Sequence, residues 1–425
     1  TEPCASGRRA AASGTAEIDL HWMESRDSAR VRIDRPGAGE HVNVFVRDRA
    51  GNATSYGSRF LRSSPALSVY AGAAAAGDEL YLNQLSVGWD PAFATGSPVA
   101  LPGNTTLAAT MGRIADDGDL RDDLAVVYSD GSNDFYRWYP TTATGAVDLG
   151  SPVTLLTEGP SAVPRTIRIA DMTRDGIPEI LATTATRELR VFDSQTGAAI
   201  IVVSGPADHF DVGDLDGDGY PDVVGVDSAG GTVTVWRNTG GTALQLVAQT
   251  WTAALPGTVN SATIADVNRD GSADLLLTDP DNVPNIRIYR GGPGAVLTED
   301  TQTSTYFPAN MGTTNVAVAD FDRDGRVDLF AGNSTLSSEI YVNDWNGGFY
   351  PVPAVLLSQD SRQSVAADMN GDGWPDVVEV FNGAPPVIWI NNVREWWNGA
   401  PDFLLQSTAT VGTNSTTTVA VGQVR

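Results

Sequence analysis

The stretch Asp214-Leu-Asp-Gly-Asp-Gly-Tyr-Pro-Asp222 places carboxylates at positions 1, 3, 5 and 9 of a tight turn, with glycine at position 6. Alternating acidic residues around a glycine suit a hard cation. Such an ion takes several oxygens at about 2.3–2.6 Å and needs the backbone bent so that they converge. The carbonyl at position 7, here Tyr220, is the natural further ligand.

The spacing recurs. It is found at Asp266, Asn268, Asp270 and Asp274 (carbonyl of Ser272), and at Asp320, Asp322, Asp324 and Asp328 (Arg326). It is found again at Asp368, Asn370, Asp372 and Asp376 (Trp374), and more weakly at Asp171, Thr173, Asp175 and Glu179 (Ile177). A sixth stretch, with Asp116, Asp119 and Asp123, reads as one residue short, with an ambiguous register. Each loop follows a short alternating strand and precedes an apolar one, as in Ser261-Ala-Thr-Ile-Ala before and Asp274-Leu-Leu-Leu-Thr after. The first aspartates lie about 43 to 55 residues apart, a period that indicates a repeat architecture. Metal-free Asp-Gly turns are the plainer alternative, but five copies of one spacing argue against them. An EF-hand needs glutamate at position 12 and flanking helices; Gly225 and Leu277 stand there, inside strand patterns.

The formal net charge of −25 and the pI near 4.3 come largely from aspartate in these loops. The five better loops hold 17 carboxylates, and five Ca²⁺ would bring the net charge to about −15. All 27 cations are arginine, with no basic stripe, so nucleic acid is not an expected partner. Cys4 is the only cysteine, which excludes an intrachain disulfide and a thiolate metal site. No run of 18 apolar residues spans a membrane. The chain opens at Thr1, which reads as a mature or trimmed form. Calcium loops fill outside the cell, so the expected location is secreted or at the cell surface.

Residues 1–65 read as a small β module and linker, with strand-like runs at 16–22, 29–33 and 41–47. The stretch Val46-Arg-Asp-Arg-Ala-Gly-Asn-Ala-Thr resembles the closing strands of bacterial immunoglobulin-like or fibronectin-type modules. Residues 66–425 read as the repeats. Inner strands fall near 107, 166, 209, 261, 315, 364 and 417. Thr416-Thr-Thr-Val-Ala-Val-Gly-Gln-Val looks like Thr313-Thr-Asn-Val-Ala-Val-Ala-Asp and supplies the strand missing near Leu67. The two ends would then share one sheet, removing free edges.

The loops, with Val235-Trp-Arg-Asn-Thr-Gly-Gly, Ile288-Tyr-Arg-Gly-Gly-Pro-Gly and Ile340-Tyr-Val-Asn-Asp-Trp-Asn-Gly-Gly-Phe, resemble FG-GAP/VCBS repeats. These are the calcium-binding blades of integrin α-subunit heads and of many bacterial surface proteins. The resemblance implies an all-β fold, a seven-bladed β-propeller closed by pairing of its N- and C-terminal strands. It implies calcium held by the loop residues named above, at five sites, or six if the Asp116 loop closes.

Fold does not give function. The reading favoured here is a propeller that binds an extracellular glycan or protein ligand without chemistry of its own. A polysaccharide-degrading enzyme and a structural unit of a larger surface assembly are the alternatives. Catalytic candidates are few. His21 and His41 lie in the small module, His209 stands near Asp211 and Asp214, and Tyr136, Arg137, Trp138 and Tyr139 form one dense run. That run reads more simply as an outer strand with packed aromatics. Trp396, Trp397 and Asn398 form an unusual insertion suited to stacking on a sugar face. Asn52, Asn104, Asn333 and Asn414 head glycosylation sequons that matter only in a eukaryotic secretory route.

Overall fold

The computed structural model describes isolated strands within 17–99 and most of 101–423. Outside the described residues are 102–104, 116–120, 229–230, 241–243, 250–258, 308–310, 345–347, 353–358, 370–373, 392–395, 398–399, 402–404, 411–415 and a few single turn positions. The chain divides into two compact units, Thr1–Pro65 and Ala66–Arg425. In the first, Glu17–Trp22 pairs with Ala29–Asp34, and Val42–Arg47 pairs with Ala53–Ser58, both antiparallel. The fourth strand, Ala53–Ser58, begins at the end of the stretch that resembles closing strands and runs beyond it.

The second unit is a β-propeller. Six four-stranded antiparallel blades follow in chain order. Their first strands are Thr105–Gly112, Ile167–Ala170, His209–Gly213, Ser261–Ala265, Thr313–Ala319 and Ser361–Ala367. They are numbered here as the first to sixth blades. Chain order thus gives six blades rather than seven. A further four-stranded sheet joins the two ends, Thr416–Gln423 beside Leu67–Ala73, Asp78–Tyr81 and Ser97–Val99. Thr416 pairs with Ala73 and Gln423 with Leu67, the closure expected from the matching ends.

The second strand of each blade explains the apolar runs. Asp222–Asp227, Asp274–Thr278, Asp328–Asn333 and Asp376–Phe381 are buried along their whole length. A strand covered on both faces needs no polar alternation. The apolar clusters lie across the junctions between neighbouring sheets. One joins Val224, Val226 and Val235 of the third blade to Leu275, Leu277 and Tyr289 of the fourth. Another sets Val378, Val380 and Ile388 of the sixth against Val419 of the closing strand. The outermost strands are the exposed ones, as with Ile200 and Val202 in Ala199–Val203.

The innermost strands line a central channel of about 740 Å³. Its polar side chains tie blade to blade. Arg168 Nε donates to Asp211 Oδ1 at 3.1 Å, and Asp211 Oδ2 accepts from the Ile264 N–H at 2.8 Å. At the seam, Gln363 Oε1 accepts from the Val419 N–H at 3.0 Å while its Nε2 donates to the Val419 carbonyl at 3.1 Å. One amide thus stands in for a pair of ladder hydrogen bonds between the sixth blade and the C-terminal strand.

Candidate metal centre

Every acidic loop joins the first strand of its blade to the second, so the loops share one face of the ring. Within each loop the side chains first satisfy the turn. The position-1 carboxylate accepts from the amides at positions 5 and 6: Asp214 from Asp218 and Gly219, Asp266 from Asp270 and Gly271, Asp171 from Asp175 and Gly176. The position-5 carboxylate accepts from the amide at position 7: Asp175 from Ile177, Asp218 from Tyr220, Asp270 from Ser272, Asp324 from Arg326. Glycine at position 6 is required by a left-handed turn, with φ of 89° at Gly219 and 93° at Gly325.

Position 9 is a latch. Asp222, Asp274, Asp328 and Asp376 are fully buried. One oxygen of each accepts from the position-2 amide (Leu215, Val267, Phe321, Met369). The other accepts from the end of the third strand (Asn238, Gly291, Asn343, Asn391). Glu179 does the same for Met172 with its longer side chain, so the Asp171 loop keeps the common shape despite glutamate at position 9.

The first blade corrects the sequence reading. Gly112 pairs with Asp123 as Ala265 pairs with Asp274, which makes Asp123 the position-9 residue. Its Oδ2 accepts from Ile114 and Ala115 and its Oδ1 from Thr141. Residues 113–122 therefore span what 266–273 span in the fourth blade. The loop is two residues longer than its relatives, not one shorter, and Arg113 takes the place of the first aspartate. Asp116 and Asp119 lie outside the described residues, as do Asn370 and Asp372 of the sixth-blade loop.

A family model described as FG-GAP-like repeat matches residues 214–277, 266–331 and 320–379, each match starting on a position-1 aspartate. The chain carries FG-GAP-like repeats. A solved protein from Lactobacillus plantarum has a similar fold (TM-score 0.55, 12% identity, 84% of this chain and 99% of that one). BBS1N in complex with ARL6DN, soaked with lead, aligns at a TM-score of 0.47 and 10% identity over 79% of this chain and 90% of that one. No curated protein matches the chain.

Among the described residues, two FG-GAP loops bring acidic oxygens together within 4.8 Å: Asp214, Asp216 and Asp218, and Asp320, Asp322 and Asp328. The second fits a cation well. Asp320 Oδ1 and Asp322 Oδ2 are buried without a hydrogen-bond partner, which is costly unless an ion meets them. Burial, with Asp324 and Asp320 adding to it, pushes Asp322 up to about 7. Burial pushes Asp328 up to about 8, the other loop carboxylates adding and the Asn343 amide opposing. An all-oxygen donor set of this kind suits a hard divalent ion.

The Asp214 loop is satisfied differently. Arg237, from the third strand of the same blade, forks onto Asp216 and Asp218, the second contact at 3.0 Å. Arg237→Met should therefore raise the metal affinity of this loop severalfold, since a competing cation is removed. Isothermal titration of the variant against the parent checks this, and an unchanged affinity would show that Arg237 does not compete. In the fourth blade Arg290 approaches Asp274 Oδ2 at 3.1 Å.

The third-strand asparagines hold the loops from outside them, a role not read from the sequence. Asn238, Asn343 and Asn391 are fully buried. Their Nδ2 groups donate to the position-2 carbonyl of the preceding loop: Met172 at 2.8 Å, Val267 at 2.6 Å and Phe321 at 2.9 Å. The signal was present, since all three close the motif Trp-Arg-Asn, Tyr-Val-Asn or Trp-Ile-Asn. The fourth blade has Gly291 instead, because a Cβ there would run into the Ala273 carbonyl oxygen and lie 2.8 Å from that of Leu215. Asn343→Ala strands the Val267 and Val327 carbonyls and should cost about 1–3 kcal/mol, measured by urea unfolding. A loss below 0.5 kcal/mol, on the order of a neutral surface change, would contradict the staple.

The other candidates divide clearly. Tyr136, Trp138 and Tyr139 are buried in the third strand of the first blade. Trp138 Nε1 donates to the Ser194 carbonyl of the second blade at 2.8 Å. Tyr136 sits in a closed network with Arg165, Asp134 and Glu158. Arg137 packs over the Phe135 ring. His209 lines the channel, and burial pushes its imidazole down, with Asp208 opposing and Arg168 reinforcing. Trp396–Trp397 pairs with Ala400–Pro401 in a short hairpin. The side chains of Trp396, Trp397 and Asn398, together with Cys4, His21 and His41, lie outside the described residues.

Proposed function

We propose that this chain is a calcium-stabilised propeller that works outside the cell or at its surface, binding a glycan or protein ligand without chemistry of its own. The observation that carries the calcium reading is the Asp320 loop, where three carboxylates converge and two of their buried oxygens, Asp320 Oδ1 and Asp322 Oδ2, have no protein donor. A site needing a divalent ion for neutrality works where free calcium is plentiful. No helix among the described residues is long and apolar enough to cross a membrane.

Ligand binding falls to the loops. Many polar side chains of the channel wall are already engaged in joining blades, as Arg168, Thr314 and Gln363 are. Trp396 and Trp397, in a hairpin inserted between the third and fourth strands of the sixth blade, are the proposed platform. Screening the calcium-loaded protein on a glycan array, with the same polysaccharides checked for products by mass spectrometry, tests this. Binding that Trp396→Ala abolishes supports the reading. Turnover replaces it with an enzyme, and silence in both channels leaves a protein partner or a structural role.

A further inference from the structure

Five non-glycine residues among those described have positive φ, and three of them are arginines at position 4 of an FG-GAP loop: Arg174 (61°), Arg269 (59°) and Arg323 (57°). The third-blade loop has glycine there, Gly217 at 73°, the residue this backbone favours. Left-handed geometry costs a side-chain-bearing residue about 1–2 kcal/mol. Such strain is kept where the side chain has a task.

Each arginine reaches forward to the next loop. The Arg174 guanidinium lies 5.2 Å from the Tyr220 ring centroid, and its Nη1 sits 2.5 Å from where a Cβ on Gly219 would be. Gly219 and Tyr220 occupy positions 6 and 7 of the Asp214 loop. Their amides hold Asp214 Oδ2 at 2.7 Å and Asp218 Oδ1 at 2.9 Å. Arg323 repeats the contact on Trp374, at 5.0 Å. Arg269 Nη1 stands 3.6 Å from the Cβ position of Gly325, whose amide holds Asp320 Oδ2. Between the third and fourth blades the backbones themselves meet, a Gly217 Cβ position lying 3.1 Å from the Gly271 carbonyl. Position 4 of one loop thus touches position 6 or 7 of the next at each of these steps.

We propose that Arg174, and likewise Arg269 and Arg323, is a positioning residue that couples each ion-binding loop to its neighbour, so that the loops fill cooperatively. The proposal rests on the calcium reading above. Filling the Asp171 loop fixes positions 3 and 5 on either side of Arg174. The held guanidinium then braces the amides that aim Asp214 and Asp218, lowering the ordering cost of the second ion.

The test titrates the full chain with Tb³⁺, following luminescence sensitised through tyrosine, with Tyr220→Phe assigning the signal of the Asp214 loop and calcium competing the ion away. Arg174→Gly relieves the strained φ while deleting the side chain, and Arg174→Met keeps the strain but removes the cation. Both should weaken binding at the Asp214 loop by about two- to fivefold, the change that an exposed cation–π contact carries, and should flatten the titration. Unchanged affinity and slope in both variants, with the Tyr220 signal intact, overturn the coupling and leave the calcium reading standing. A parent protein giving no calcium-competed luminescence overturns both.

Discussion

Removing calcium is expected to lower the melting temperature of the propeller by on the order of 10 °C or more. An ion present at 100 times its Kd stabilises the folded state by about 2.7 kcal/mol per site, and several sites act on one folded ring. The physical source is the Asp320 loop and its relatives, where buried carboxylates repel one another and where Asp320 Oδ1 and Asp322 Oδ2 have no protein donor. The same groups fix the pH dependence. In the metal-free protein Asp222 is pushed up to about 7, Asp322 to about 7 and Asp328 to about 8, burial being the main cause in each. An unfolded aspartate titrates near 4. Between about pH 4 and 8 the folded chain therefore holds protons that the unfolded chain has released, so stability falls as pH rises. The loss is complete above about pH 8, and calcium should abolish the slope by taking the place of the protons. Thermal melts in EGTA and in calcium across this range check both statements. Coincident curves would sink the calcium assignment, and a metal-free protein that gains stability toward pH 8 would contradict the buried-carboxylate account.

Deleting Thr416 to Arg425 should have the next largest effect. The deletion removes the strand beside Leu67–Ala73 and takes Val419 and Ala420 out of two apolar clusters. It also strands the Gln363 amide, which meets the backbone of Val419 on both sides. Two strand edges and an apolar seam open together, the arrangement that drives edge-to-edge association. The truncated chain is expected to elute as aggregate in size-exclusion chromatography with light scattering. A monomer of parental melting temperature would show that the seam contributes nothing. Gln363→Ala is the graded version, leaving the Val419 N–H and carbonyl unpaired at a cost of about 1–3 kcal/mol while the ring stays closed.

Spacing alone located the FG-GAP loops, because a cation needs its oxygens at fixed intervals along a turn and those intervals are local. Alternation and apolar runs gave the strands for the same reason, and the likeness of Thr416–Gln423 to Thr313–Ala319 exposed the closure. The first-blade loop could not be registered by counting aspartates. Its register is set by which amides reach Asp123, and the residues that this register puts at positions 1 and 3, Arg113 and Ala115, are not acidic.

What the sequence determined by itself was thus the set of nine-residue turns, their carboxylates and the β architecture carrying them. Tertiary structure decided what meets those carboxylates. Arg237 closes on Asp216 and Asp218 from another strand, Asn343 reaches the loop of the preceding blade, and Arg174 crosses to Tyr220 of the next. These partners stand 21, 76 and 46 residues apart in the chain. A sequence read locally sees each as an ordinary strand or turn residue; strand pairing within one blade brings Arg237 within reach, and the packing of neighbouring blades does so for Asn343 and Arg174.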